Sequence, residues 1–257
     1  MDLNLKDKLF VVTGATSGFG KSIATALINE GAKVLINARG LEKLQSMQTA
    51  FPHQVEILAG DITTDATITE LIRKVGTRKL DGILINAGGP PAKSFIETEI
   101  SDWDEAYQNV LRWKVKLTNY LMPKLIDQKY GRLLYIESVS VKQPVENLVL
   151  SNSLRLAVIG FVKTLSQEIG DQGITLNVIA PGYHATPAMD RLFIKKSELL
   201  GISKEEARSA FESEIKSGKL GDPDDLASLA VWLLSPTSRY ITGQTFVVDG
   251  GLFKGTL

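Results

Sequence analysis

The run Thr13-Gly14-Ala15-Thr16-Ser17-Gly18-Phe19-Gly20 carries the strongest chemical signal in the chain, because it follows the apolar run Leu9-Phe10-Val11-Val12 directly. A short strand that ends in a glycine-rich turn, with a helix opening at Lys21-Ser22-Ile23-Ala24, turns backbone N–H groups toward a ligand. Glycine permits both the tight turn and the close approach, and the open N–H groups of a helix N-terminus suit a pyrophosphate. The same pattern also serves as a strand-to-helix turn with no ligand, so the rest of the chain has to decide.

The elements that must position this turn are legible as alternating patterns. Short apolar runs occur at Leu9–Thr13, Lys33–Ala38, Val55–Ala59, Gly82–Asn86, Arg132–Glu137, Thr175–Ala180 and Thr245–Asp249. Each is rich in Val, Ile or Leu on both faces of its middle, as strands of a parallel sheet covered on both sides require. Between them lie amphipathic stretches with helix-end signals. Glu30-Gly31 stops the first helix, Ser101-Asp102-Trp103-Asp104 reads as a cap with an acidic first turn, Ser203-Lys204-Glu205-Glu206 fits a capping box, and Asp222-Pro223 places proline at a first helical position. No internal repeat, low-complexity tract or proline-rich linker interrupts them. The expectation is one doubly wound α/β domain over residues 1–257, with its ligand crevice at the carboxyl ends of the strands. The stretch 186–219 is long for a connection and carries apolar helical patterns, which fit either a lid over the crevice or a helical pair closing a subunit contact.

Composition narrows the class. The 257 residues are 44% apolar, enough for a sizeable core. Lys+Arg and Asp+Glu balance at 29 each, which gives no reason to expect a nucleic-acid or anionic-membrane partner. Cysteine is absent, so disulfides, a thiol nucleophile and cysteine-ligated metals are excluded. No stretch reaches the ~20 apolar residues of a membrane span, and residues 1–8 lack a signal-like apolar region. A cytoplasmic protein acting on a small molecule, with no metal, is the expectation.

The T-G-x-x-x-G-x-G spacing at 13–20, Asn86-Ala87-Gly88, Pro181-Gly182 with Thr186, and Tyr240-Ile241-Thr242-Gly243-Gln244 with Val248-Asp249-Gly250-Gly251 resemble the short-chain dehydrogenase/reductase family. The nearest flavour is its 3-oxoacyl-acyl-carrier-protein reductase-like branch, and the motifs run in family order along nearly the whole chain. The resemblance implies a Rossmann-type parallel sheet of order 3-2-1-4-5-6-7, a nicotinamide cofactor and a homotetramer. It assigns Gly14, Thr16, Ser17, Gly18, Phe19 and Gly20 to the phosphates, and Asp61 with Ile62 to the adenine. Asn86, Ala87, Gly88, Pro181 and Gly182 then line the cofactor cleft, with Thr186 at the nicotinamide amide. NAD-selective members end the second strand with a carboxylate that binds the ribose hydroxyls. Here that position is Ala38, followed by Arg39, whose guanidinium suits the 2′-phosphate of NADP. NADP is therefore expected over NAD.

The resemblance then breaks at the chemistry. Family members use a serine, a tyrosine acid, a lysine four residues on and a helix asparagine. In that register Ser138 holds the serine position, Ser151 the tyrosine position and Arg155 the lysine position. Counting from Trp103 places Val110 where the asparagine belongs, with Asn109 one residue early and turned away unless the helix is bulged. A serine hydroxyl is a far poorer acid than a phenol with a reference pKa of about 10. Arg155 keeps a charge beside the nicotinamide ribose but cannot relay a proton. Tyr183 and His184 are candidate replacement acids, each also readable as local packing. Lys142 and Lys114 read as approaching the crevice or, more commonly, as solvated surface lysines. Glu137 binds substrate, pairs with Arg155 or is plain strand-end polarity. Gly88-Gly89-Pro90-Pro91 stiffens the neighbouring loop, and Met189, Leu192 and Phe193 line an apolar lid or form ordinary core. Two functions stay open: an oxidoreductase with an altered tetrad, or an NADP(H)-binding sensor or partner subunit without catalysis. A lyase or isomerase using the cofactor structurally is a third.

Overall fold

A computed structural model describes residues 2–256. Seven strands form one parallel sheet in the order β3-β2-β1-β4-β5-β6-β7. They are β1 Leu9–Thr13, β2 Lys33–Ala38, β3 Val55–Ala59, β4 Gly82–Ile85, β5 Gly131–Ile136, β6 Ile174–Pro181 and β7 Thr245–Val248. Each boundary lies within one residue of the apolar run that marks it in the sequence. The helices are α1 Gly18–Asn29, α2 Leu41–Ala50, α3 Asp65–Val75, α4 Ile100–Ala106, α5 Trp113–Asp127, α6 Val149–Glu168, α7 Pro187–Leu200, α8 Lys204–Glu214 and α9 Pro223–Leu234.

The period of two along each strand divides the apolar residues between two cores. Phe10 and Val12 of β1 join Val34, Ile36 and Leu84 on the face that α1, α2 and α9 cover. Leu9 and Val11 join Leu35, Ile83 and Leu133 on the face that α3, α5 and α6 cover. A sheet clothed on both sides needs strands buried on both faces, and even β6, which alternates Ile174-Thr175-Leu176-Asn177-Val178, buries Thr175 and Asn177.

Helix ends follow local chemistry. Gly31 adopts φ +81° just past α1, and capping boxes close Ser203–Glu206 and Asp222–Asp225. The cap expected at Ser101 is displaced. Glu99 caps α4 instead, paired with Asp102, whose carboxylate accepts from the Glu99 N–H at 2.9 Å, and Ser101 lies inside the helix. Between α4 and α5 the helix widens into a π-turn over Tyr107–Arg112, the bulge on which the orientation of Asn109 depended. The 186–219 stretch is helical as expected. It forms α7 and α8 around a small core of Tyr183, Met189, Phe193, Phe211 and Ile215, with Leu192 packed on it.

Among the described residues no helix is long and apolar enough to cross a membrane, and no group of three or more His, Asp or Glu could hold a metal ion.

Gly20 sits where α1 passes beneath the turn after β1. A Cβ there would stand 2.1 Å from the Gly14 carbonyl oxygen, whereas a Cβ on Gly160, inside α6, meets open space. Gly20→Ala is expected to cost about 1–3 kcal/mol through forced backbone displacement. Gly160→Ala is expected to be neutral or stabilising by up to about 1 kcal/mol. Paired thermal melts check both; a Gly20→Ala melt equal to wild type would contradict the close approach.

Candidate active site

The carboxyl ends of β1, β2, β4, β5 and β6 gather the polar residues singled out in the sequence. At the end of β1, Gly14 takes φ +64°, and a Cβ on it would meet Asn86 Nδ2 and O at 2.8 and 2.9 Å. Thr13 zips this turn to the end of β4. Its hydroxyl donates to the Asn86 carbonyl at 2.7 Å and accepts from the Asn86 N–H at 2.8 Å. The turn leads into α1 through Ser17, which makes no side-chain cap, and no acidic residue occupies the first turn. The N–H groups of α1 are thus left open beside a glycine cradle, which fits a pyrophosphate. Ala87 and Gly88 continue the loop from Asn86, and Thr16 lies half-buried at the turn. Gly18 touches the Thr186 side chain, and Gly182 fits against Asp249, where a Cβ would come within 2.6 Å. Pro181 ends β6 opposite Val248.

At the adenine-side edge, Ala38 is buried at the end of β2 and Arg39 is exposed, with no ion-pair partner among the described residues. Asp61 folds one oxygen onto the N–H and hydroxyl of Thr63 at 3.0 and 2.8 Å, and Ile62 is buried beside it.

The centre of the site is an ion cluster. Glu137, immediately after β5, has a fully buried side chain, and its two oxygens go to two different cations. Lys114 Nζ of α5 donates to Oε1. Arg155 Nη1 of α6 donates to Oε2 at 3.0 Å and to the Glu137 carbonyl at 3.1 Å. Side-chain exposure is 3% for Lys114 and 12% for Arg155, so the cluster opens outward only at the guanidinium. Burial, with the nearby Arg155 charge, pulls the Lys114 ammonium below its ordinary range, against the upward pull of Glu137.

Lys114 is therefore not the solvated surface lysine that its type suggests. The sequence held a clue: Lys114 shares one helical stripe with Leu117, Thr118, Leu121 and Leu125, all buried. Glu137 pairs with Arg155, the expected alternative, and with Lys114 as well. Lys142 is exposed.

One hydroxyl meets the guanidinium, and a second lies on the turn that follows Glu137. Ser151 Oγ accepts from Arg155 Nε at 3.0 Å, and Ser138 Oγ accepts from the Ser140 N–H at 3.1 Å. Each keeps its own O–H hydrogen free to donate. A Cβ on Gly89 would stand 2.8 Å from Arg155 Nη2, so this glycine, read in the sequence only as part of a stiff loop, leaves the guanidinium its room. Despite the π-turn, Asn109 stays outside: its Nδ2 donates to Glu105 at 3.3 Å, and Val110 takes the buried position.

The two candidate replacement acids are packed away. His184 is buried, stacks edge-on against Phe19 at 5.0 Å and sits 3.2 Å from the Gly182 carbonyl through Nδ1. Burial lowers its pKa, so the ring is neutral near pH 7. Tyr183 belongs to the small core of α7 and α8, edge-on to Phe211 at 4.9 Å. Burial, with Glu214 beside it, pushes its phenol up to about 12. Met189 and Phe193 are buried in the same small core, which is the ordinary packing reading.

Comparison with known proteins identifies the family. The family model adh_short_C2, described as enoyl-(acyl carrier protein) reductase, matches residues 14–253. The chain belongs to the short-chain dehydrogenase/reductase family. It is 31% identical over 250 residues to the 3-oxoacyl-acyl-carrier-protein reductase FabG of Rickettsia prowazekii, covering 97% of this chain and 98% of that one. The corresponding Aquifex aeolicus protein is 27% identical over 259 residues, covering 98% and 100%. Among solved structures, L-sorbose reductase of Gluconobacter frateurii, complexed with NADPH and L-sorbose, superposes with a TM-score of 0.91. That match is at 26% identity and covers 99% and 100% of the two chains.

Two outcomes follow for this short-chain family member. Glu137→Gln leaves two buried cations without a counter-charge and is expected to cost about 3–5 kcal/mol in denaturant unfolding; a loss below ~1 kcal/mol would contradict the cluster. His184 has a folded pKa below its ordinary 6.5. Its contribution is complete above that value and is lost as pH falls from 6.5 through the folded pKa. His184→Phe should flatten the fall in stability below pH 6.5, and an unchanged acid limb would sink the assignment.

Proposed function

We propose that the chain binds NADP(H) in preference to NAD(H) and interconverts a carbonyl and an alcohol through an altered catalytic set centred on Arg155. The observation that carries this reading is the Arg155 Nε to Ser151 Oγ hydrogen bond. Because arginine only donates, the Ser151 oxygen is engaged while its hydrogen stays available for a substrate oxygen. Ser138 is available in the same way, through its bond from Ser140. Two O–H donors beside a fixed guanidinium stabilise negative charge developing on a carbonyl oxygen. The bound cofactor supplies or accepts the hydride. The protein supplies no acid near neutrality, so the resulting alkoxide takes its proton from water.

Cofactor selection rests on Ala38 and Arg39: no carboxylate ends β2, and the exposed guanidinium is free to meet a phosphate. The relatives' small-molecule chemistry supports the same class of reaction, and the NADPH-bound sorbose reductase supports the cofactor. Exposed Tyr107, Val115, Tyr120 and Leu156 on the surface of α5, its preceding π-turn and α6 support the homotetramer that the family resemblance implies.

A second reading, an NADP(H)-binding sensor or partner subunit without turnover, is favoured by the packing of Tyr183 and His184 away from the crevice.

Titration of NADPH and NADH against nicotinamide fluorescence tests the cofactor. NADPH should bind at micromolar affinity or better. Arg39→Glu should weaken it by about 10–100-fold, the worth of a charge-assisted hydrogen bond, with NADH little changed. Equal affinity for the two cofactors in the wild type defeats the assignment. Carbonyl-dependent NADPH oxidation that falls at least about tenfold in Ser138→Ala supports the catalytic reading. Tight NADPH binding with no turnover, and turnover gained in Ser151→Tyr with Arg155→Lys, supports the second.

A further inference from the structure

We infer that the crevice beside Arg155 takes a carbonyl compound carrying a carboxylate close to the reacting carbon, the class of oxo acids and their hydroxy counterparts. The inference rests on the proposed reading of this site as one that holds a carbonyl oxygen, and it narrows the substrate.

The argument is one of charge balance. Lys114 and Arg155 share a single carboxylate, and no other carboxylate lies within ion-pair distance of either among the described residues. With all three groups ionised the cluster holds one more positive than negative charge, nearly out of water. An uncompensated buried charge is costly, and an anion that completes the balance is favoured in proportion. The lowered Lys114 pKa has the same origin, since burial and the Arg155 guanidinium both act against its charge.

Geometry says where such an anion would approach. Glu137 is sealed and Lys114 nearly so, which leaves the partly exposed guanidinium. Arg155 Nε and Nη1 are engaged by Ser151 and Glu137. Nη2 has no acceptor among the described residues and lies against Gly89, where a Cβ would come within 2.8 Å. Ser138 and Ser151 each have an O–H hydrogen to donate, and the Ser140 hydroxyl, buried on the same turn, has no partner at all. A neutral ketone or thioester would use the hydroxyls and leave the surplus charge unanswered. A carboxylate one or two bonds from the carbonyl answers both, with charge-assisted hydrogen bonds to the guanidinium.

Calorimetric titration of acetoacetate against its methyl ester tests this, because the two differ mainly in the carboxylate. The comparison is made on the intact protein with and without NADPH. A failure of cofactor binding, seen separately by fluorescence, would count against the proposed function without deciding this point. Acetoacetate should bind at least about tenfold more tightly than the ester. Lys114→Met, which removes one cation, should narrow that ratio toward one by weakening the acid and sparing the ester. Equal or tighter binding of the ester, or no heat from the acid at millimolar concentration, overturns the inference. The wild-type comparison stands by itself if Lys114→Met does not fold.

Discussion

The carboxylate of Glu137 is the interaction on which the rest of the site depends. It sits just past the last residue of β5, where a parallel strand delivers its side chains to the crevice, and it accepts from one cation on α5 and another on α6. A carboxylate with no solvent contact is tolerable only when both oxygens are matched, and each oxygen here has its own partner. The consequence is mechanical as well as electrostatic. The two helices that cover the same face of the sheet are pinned to one strand end, and the Arg155 guanidinium is held at both Nε and Nη1. Ser151, one turn before Arg155, is then placed by the arginine rather than by its own short side chain.

A second constraint joins the glycine-rich turn to the 186–219 stretch. Phe19, within that turn, stacks against His184, and His184 lies against Gly221 in a parallel bridge across the base of α7 and α8. The Gly221 N–H donates to the Tyr183 carbonyl at 3.0 Å, and the Ala185 N–H donates to the Gly221 carbonyl at 2.9 Å. Both ends of the 186–219 stretch are therefore tied to one short segment beside the turn. Between those ties α7 and α8 keep a core of their own, with a Lys195–Glu97 ion pair at 3.3 Å to the loop before α4. The unit of α7 and α8 thus keeps its own core and is tied to the rest of the domain at its base, by this ion pair, by the Ser217 N–H donating to the Gly250 carbonyl at 3.0 Å and by Leu252 packed on that core.

Much of this was legible in the chain. Strand positions and most helix ends follow from apolar period, glycine placement and capping chemistry, all of them local signals, whereas the sheet order was implied by the family resemblance. The glycine turn was legible for the same reason, because its function is carried by backbone and by the absence of side chains. The cluster was only half legible. Glu137 and Arg155 are both singled out by position, but Lys114 was obscured because lysine is almost always solvated, and its place on a buried stripe was overridden by its type. Gly89 carries no local signal, since its requirement comes from an arginine 66 residues away in sequence. Packing was one of the two readings open for Tyr183 and His184, and their partners, Phe211 of α8 for the one and Phe19 with Gly221 for the other, lie too far off in sequence to be read locally. The Glu99 cap shows the smaller kind of miss, in which two adjacent residues compete for one helix end and the better reciprocal pair wins.

Ser151, Arg155, Glu137, Gly89 and Lys114 are best understood as one unit. Arg155, one turn beyond Ser151 in α6, sets its Nε on the serine oxygen. The longer, forked side chain then needs an acceptor for its second nitrogen, which Glu137 supplies, and a neighbour without a Cβ, which Gly89 supplies. Lys114 uses the carboxylate oxygen that Arg155 leaves. Lysine at 155 could not serve this arrangement, because one ammonium cannot present two fixed donors in a plane to serine and carboxylate together. Arginine also keeps its proton at every accessible pH. Groups coupled through shared partners do not contribute additively. The set therefore offers fixed positive charge and oriented hydroxyl donors, and the proposed carbonyl chemistry draws on those.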